Sequence, residues 1–320
     1  MIYDLIIIGV GPAGMTASIY ASRYKLTNLV LGKDKGGTIA YAHKVDNYPG
    51  LPGLSGLELM EKVEDHVKSL GSQIIYDPVN KIAKTDNGFT VFVQSGGQYQ
   101  AKMVIVATGT KRKQLNIPGE KELVGKGVSY CVTCDAPFFR GKNVALVGGS
   151  DAACSGAVHL AEFSNKIYLI YRKGCLRAEP FWAQQWDKLV TQGKGEAIYN
   201  TNILKILTKT QNNDVVGAVE LDKPYHGSNV LEVDGVFIEI GGVPGTDLVK
   251  PLAVALDEQE YIKVSQNCQT NIPGLFAAGD ITDRSKIAQQ IITAMAQGAI
   301  AAGSAYKYLK GQEAPQIRGD

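Results

Sequence analysis

Two kinds of pattern alternate along the chain: short runs apolar at every position, and longer stretches in which apolar residues recur every three or four. Leu5-Ile6-Ile7-Ile8 predicts a strand buried on both faces, reaching back to Ile2 with Asp4 as its interruption. It runs into Gly9-Val10-Gly11-Pro12-Ala13-Gly14, after which Met15 through Tyr24 reads as a helix rich in small residues. Ser55-Gly56-Leu57-Glu58 is a capping box; Leu59, Met60, Val63, Val67 and Leu70 give the helix it opens an apolar face, and Gly71 ends it. Strands follow at 73–76, 81–84 and 89–94, with Asp86-Asn87-Gly88 as a turn, and a second buried strand runs from Met103 to the small-residue turn Ala107-Thr108-Gly109. The basic stretch Lys111 to Gly127, with Pro118-Gly119, reads as a linker. Val144-Ala145-Leu146-Val147 then enters Gly148-Gly149-Ser150-Asp151-Ala152-Ala153, followed by a strand at 167–170, so strand, glycine turn and helix occur twice. Trp182 and Trp186, four apart on a helix, read as core. Gly242-Val243-Pro244-Gly245 reads as the return linker, and Leu275 to Asp280 leads to a small-residue helix over 287–309.

Strand, glycine turn and helix in that order is the device by which a chain holds a dinucleotide. Gly9 allows the tight turn, Gly11 lets a pyrophosphate approach the backbone, Gly14 lets helix pack on strand, and the helix N-terminus offers free N–H groups to the phosphates. Two such devices predict two nucleotides or nucleotide-derived cofactors. The acid expected for a ribose hydroxyl is missing after Leu31-Gly32, with Asp34 as the available substitute. The polar, glycine-rich loops around Gly36-Gly37-Thr38 and Val45-Asp46-Asn47-Tyr48-Pro49-Gly50 read as ligand-lining irregular segments. A length of 320 residues agrees with two domains. A formal charge of +2 supplies no field for nucleic acid or an anionic membrane, and no run approaches a membrane span. An odd count of five cysteines, with Cys154, Cys175 and Cys268 far apart outside the CxxC, and a start with no basic leader predict a cytoplasmic protein; Arg318-Gly319-Asp320 reads as a tail.

The chemistry is concentrated in Cys131-Val132-Thr133-Cys134-Asp135. A zinc site would need further ligands, yet there is no second CxxC, no HxxxH, and no His within thirty residues before or twenty after the pair. A structural staple closing so short a loop removes little unfolded-state entropy. A redox pair is the reading that remains preferred. Asp135 suits it, because the thiolate that leaves when a disulfide is reduced must be protonated; the alternative for Asp135 is a helix N-cap.

From the N-terminal glycine turn through Val45–Gly50, Ala107-Thr108-Gly109, Cys131–Asp135 and Ala278-Gly279-Asp280, the sequence resembles the low-molecular-weight thioredoxin reductases over essentially its whole length. That resemblance implies an α/β fold of two dinucleotide-binding, Rossmann-like three-layer domains, the second inserted into the first. FAD is expected on 1–113 plus 245–320, with 114–244 a central domain carrying the CxxC and a degenerate NAD(P)-binding fold. The family pattern puts FAD contacts on Gly9, Gly11, Gly14, Gly36, Gly37, Asn47, Thr108, Gly279, Asp280 and Gln290. It makes Cys134 the cysteine facing the flavin, Cys131 the one attacking a thioredoxin-like partner, and Asp135 the proton source. A homodimer is also implied.

The departures concern the electron donor. Ser150 stands where the second turn should have its second glycine, the family's basic cluster for the NADPH 2′-phosphate survives as Arg172, Lys173 and Arg177, Ser155-Gly156 replaces two acids, and Gln289-Gln290 replaces Arg-Gln. These leave two donors in view, NADPH or a ferredoxin-type protein. A further alternative is a flavin-dependent small-molecule dithiol oxidase or a redox-regulatory module.

Overall fold

The computed structural model describes residues 1–209 and 212–311; the Arg318-Gly319-Asp320 tail lies outside them. The chain divides into two compact units, Met1–Lys111 with Val243–Asp320, and Arg112–Gly242.

In chain order, the first unit opens with β1 (Ile2–Ile8), α1 (Pro12–Arg23), β2 (Asn28–Leu31), α2 (Gly56–Ser69), β3 (Gln73–Ile75), β4 (Val79–Thr85), β5 (Gly88–Val93) and β6 (Gln98–Val106). The second comprises β7 (Val128–Ser129), α3 (Val132–Asp135), β8 (Asn143–Val147), α4 (Asp151–Leu160), β9 (Lys166–Tyr171), α5 (Pro180–Thr191), β10 (Gly195–Tyr199), β11 (Ile203–Lys209), β12 (Asn212–Tyr225), β13 (Ser228–Glu232) and β14 (Gly235–Ile238). The first unit is completed by β15 (Leu275–Ala277) and α6 (Ile291–Lys310).

Strand order in the first unit is β3-β2-β1-β6-β5-β4, with β15 also paired to β6. β1 is parallel to both neighbours, in a register that puts Ile8 opposite Leu31 and Val106. Because side chains alternate across a strand, Leu5 and Ile7 enter a core shared with α1, α2 and α6, while Ile6 and Ile8 enter another with Val249 and Ile262. The second unit repeats the plan. Its parallel sheet runs β10-β9-β8-β14-β7, Val147 facing Ile170 and Ile238. Val144 and Leu146 pack toward α4 and α5, whereas Ala145 and Val147 pack toward the antiparallel sheet β11-β12-β13. Each unit is therefore three layers with a glycine turn at the carboxyl end of its central strand.

Four expectations need correction. The Lys111–Gly127 stretch is not a free linker: Leu123 is buried, Leu115 and Ile117 pack on the core of the second unit, and Glu120 is fully buried. The loop after Gly36 is not wholly irregular, since Gly37–Tyr41 forms a 3-10 turn behind a left-handed Gly36. α1 begins at Pro12, where a proline needs no N–H partner. The last helix starts at Ile291, because Gln290 caps it with Thr293, and 283–287 forms a separate 3-10 turn. Trp186 is a core residue, with Trp182 packed beside it.

Candidate active site and cofactor cradle

Cys131 and Cys134 are joined in a disulfide with their Cα atoms 5.3 Å apart. Cys131 is the N-cap of α3: its Sγ accepts the Cys134 N–H at 3.2 Å, and its carbonyl accepts the Asp135 N–H at 3.2 Å. Its backbone is gripped on the other side by Ser129, whose hydroxyl accepts the Cys131 N–H at 3.0 Å and donates to the Cys131 carbonyl at 3.2 Å. The next residue back, Tyr130, donates to Glu120 at 2.6 Å. That side chain also accepts the N–H groups of Leu115 and Asn116 at 2.8 and 2.6 Å, so its fully buried oxygens are satisfied by hydrogen-bond donors. Burial and the Glu120 charge together push the Tyr130 hydroxyl pKa upward, so it stays a donor.

The pair itself is accessible. Cys134 is exposed, Cys131 and Asp135 are half-buried, and Phe138 four residues on is 72% exposed. Asp135 makes no capping hydrogen bond with its side chain, so the N-cap role considered for it is not used. The substitution Gly156 also acquires a reason: a Cβ there would lie 3.1 Å from Val132 Cγ2, so its absence lets the CxxC turn settle onto α4. The other three thiols stand apart. Burial pushes Cys154 and Cys268 up to about 12, and Cys175 is exposed.

In the first unit most of the expected cofactor residues lie at the carboxyl ends of β1, β6 and β15 or against the turn after β1. Gly9 (φ +130°) presses so closely on β6 that a Cβ would fall 2.1 Å from the Ala107 carbonyl oxygen, and one on Gly14 would fall 1.9 Å from the Gly9 oxygen. Gly11 is different: a Cβ there would meet only the Gly36 oxygen, at 3.8 Å, and Gly37 lies alongside it. Asn47 Nδ2 donates to Gln290 Oε1 at 2.9 Å, and the Thr108 hydroxyl donates to the Gly245 carbonyl at 3.2 Å. Asp280 follows β15. Its Oδ1 is shut off from solvent with no hydrogen-bond partner, and burial pushes the carboxyl up to about 6. Asp34 stays at the surface beside Lys33.

The second glycine turn copies the backbone of the first. Gly148 (φ +148°) lies against the Glu239 carbonyl as Gly9 lies against Ala107, and Ser150 (φ −101°, ψ −177°) is as extended as Gly11 (φ −87°, ψ −173°). Arg172, Lys173 and Arg177 are exposed just beyond β9, and the Arg177 N–H donates to the Gly149 carbonyl at 2.8 Å. Glu239, at the end of β14, was not foreseen. Burial pushes it up to about 7 although Arg112 sits 3.3 Å away, the loss of hydration outweighing the ion pair.

Among the described residues no helix is long and apolar enough to cross a membrane, and no three His, Cys, Asp or Glu side chains are grouped to hold a metal ion. Paired glycine turns on parallel sheets, with a disulfide on an accessible turn of the second unit, define a nucleotide-binding disulfide oxidoreductase; the family model of the pyridine nucleotide-disulphide oxidoreductases matches residues 3–298. The thioredoxin reductase of Bacillus subtilis is 38% identical over 97% of this chain and 95% of its own. In three dimensions the chain is similar to the thioredoxin reductase of Lactococcus lactis (TM-score 0.90, 32% identity, 97% of this chain and 100% of that one). The same holds for that of T. acidophilum (TM-score 0.87, 34% identity, 95% and 98%). The chain belongs to the low-molecular-weight thioredoxin reductase family.

Proposed function

We propose that this chain is a flavin-dependent reductase that passes two electrons through Cys131 and Cys134 to the disulfide of a thioredoxin-like protein. The observation that carries the reading is the closed Cys131–Cys134 disulfide on an accessible turn, with an exposed aromatic, Phe138, four residues further along the chain. FAD suits the first unit, Met1–Lys111 with Val243–Asp320. The turn Gly9–Gly14 offers the N-terminal N–H groups of α1 to a pyrophosphate, the space beside Gly11 admits one, and the unpartnered Oδ1 of Asp280 suits a sugar-chain hydroxyl. Thr108 and Gly279 follow β6 and β15, Gly36 and Gly37 flank Gly11, and Asn47 and Gln290, bonded to each other, complete the expected FAD contacts.

Bound FAD supplies a two-electron carrier. The remaining chemistry belongs to the chain. Reduction splits the S–S bond and leaves two sulfurs to be protonated, and Asp135, adjacent to Cys134 and free of a capping bond, is placed to deliver a proton. The Cys131 thiolate then attacks the partner disulfide, releasing one partner thiolate and forming a mixed disulfide. Cys134 attacks that bond, frees the second partner thiol and restores Cys131–Cys134. Ser129 and Glu120, through Tyr130, keep Cys131 fixed during both exchanges.

NADPH is the donor this reading favours. The second turn keeps the required backbone and Arg172, Lys173 and Arg177 supply three cations for a 2′-phosphate; the Ser150 side chain lowers affinity by standing where a pyrophosphate approaches. Anaerobic titration of the flavoprotein tests it: NADPH should bleach the flavin absorbance, and the bleached protein should reduce thioredoxin. No bleaching, with the photoreduced protein still reducing thioredoxin, would assign the donor role to a ferredoxin-type protein. Failure of the photoreduced protein to reduce thioredoxin would overturn the reductase reading in favour of a dithiol oxidase or a redox module. Cys134→Ser should bleach normally and reduce no thioredoxin.

A further inference from the structure

Asp280 sits in a tight turn, residues 279–282, whose shape is imposed from outside. Gly279 is left-handed (φ +81°), and a Cβ on it would come 2.8 Å from the Ala13 Cβ, so the turn is pressed against the first turn of α1. Within the turn, the Thr282 N–H donates to the Gly279 carbonyl at 3.0 Å, while its single hydroxyl proton has two acceptors in reach, that carbonyl at 3.0 Å and Gln297 Oε1 of α6 at 2.9 Å. The buried Gly279 N–H finds no acceptor within the turn, so its partner must come from outside.

That partner comes from α6. Gln297 Oε1 accepts the Gly279 N–H at 2.9 Å and lies 2.9 Å from the Thr282 hydroxyl, bridging the residues on either side of Asp280 and Ile281. The reach is fixed by its neighbour: a Cβ on Gly298 would fall 2.1 Å from the Ala13 carbonyl oxygen, so α6 packs directly on the backbone of α1 next to Gln297. The same residue, Ala13, thus backs both the turn and the helix that clamps it. The carboxylate held between these bonds is the one whose Oδ1 has no partner.

We propose that Gln297 is a positioning residue for the cofactor: by clamping Gly279 and Thr282 it aims Asp280 at the flavin site. This rests on the reading that FAD occupies the first unit. A buried N–H that loses its acceptor would pull the turn toward another partner and swing the carboxylate with it. A residue that only stabilised α6 against the sheet would leave that aim unchanged.

The test is a double-mutant cycle on flavin affinity, measured by fluorescence as FAD is returned to the flavin-free full chain. Gln297→Leu should weaken FAD binding about tenfold, the loss of roughly one good hydrogen bond. In an Asp280→Asn background the same change should cost under about threefold, because the group it aims is already neutral. Equal losses in both backgrounds, or no loss, would overturn the proposal. If Gln297→Leu does not fold, Gln297→Ser, too short to reach Gly279, takes its place with the same expectations. Failure of the unmutated chain to bind FAD at all would instead sink the flavin reading itself, which keeps the two failures distinct.

Discussion

The two glycine turns share a backbone and differ in what that backbone leaves open. In both, the turn's first N–H donates to the end of the next strand, Gly9 to Leu31 at 2.8 Å and Gly148 to Ile170 at 3.1 Å. In both, the first helical bond closes at 3.0 Å, Met15 to Gly11 and Cys154 to Ser150. The side chains diverge: the first turn has Gly11, Gly14 and Ala107 where the second has Ser150, Ala153 and Glu239. A turn can keep its fold while losing room for a ligand, because the glycine that shapes it and the glycine that clears space before it are separate positions.

The largest effect should follow from confusing those roles at Gly14. A Cβ there would lie 1.9 Å from the Gly9 oxygen, which is backbone and has nowhere to go. Gly14→Ala should destabilise the first unit by about 3 kcal/mol, the cost of overpacking, and remove flavin binding. Ala153→Gly, its counterpart, should cost only about 1 kcal/mol of helix entropy. Chemical denaturation of both variants checks the pair. Gly11→Ser comes next and should separate fold from ligand. Its backbone is extended with open space beside it, so thermal stability of the flavin-free protein should hold. FAD affinity should fall on the order of 100-fold, equivalent to about 3 kcal/mol. Retained flavin binding in Gly11→Ser would refute the separation.

Much of this was legible in the chain because it is local. Four consecutive apolar residues before a glycine turn specify a doubly buried strand, and repeating them at Val144–Val147 discloses the duplicated unit. The disulfide pair and the Asp280 turn are likewise contiguous. What escaped are contacts between residues far apart in sequence. Gln297 looks like any polar residue in an alanine-rich helix, and its partners lie 18 and 15 positions back. Glu120 sits in a basic stretch that reads as a linker, and only the fold brings Tyr130 onto it. Glu239 ends an apolar strand as a polar residue often does; its burial depends on the strands packed around it. The misplaced start of α6 has a local cause, since Gln290 and Thr293 form a capping box from residue types seldom used for one.

The smaller effects concern the second turn. Ser150→Gly restores the clearance of Gly11 and should tighten NADPH binding about tenfold, roughly 1.4 kcal/mol, with the FAD content unchanged. Isothermal titration of oxidised protein would read it, and an unchanged affinity would show that Ser150 is not the obstacle. Glu239 gives the last test. Its carboxyl is raised from 4.5 to about 7 by burial, so its ionised form is the disfavoured one in the folded chain. The stability it leaves intact is therefore complete below about pH 4.5 and is lost as pH rises through 7, after which the cost is constant. Glu239→Gln keeps an oxygen for Arg112 but cannot ionise. It should match the parent near pH 5 and be more stable at pH 8 by at least about 1 kcal/mol, the attraction of Arg112 being already contained in the raised carboxyl. Denaturation at the two pH values decides it: equal stability at pH 8 would mean that Arg112 already compensates the buried charge, and that the second turn differs from the first in shape alone.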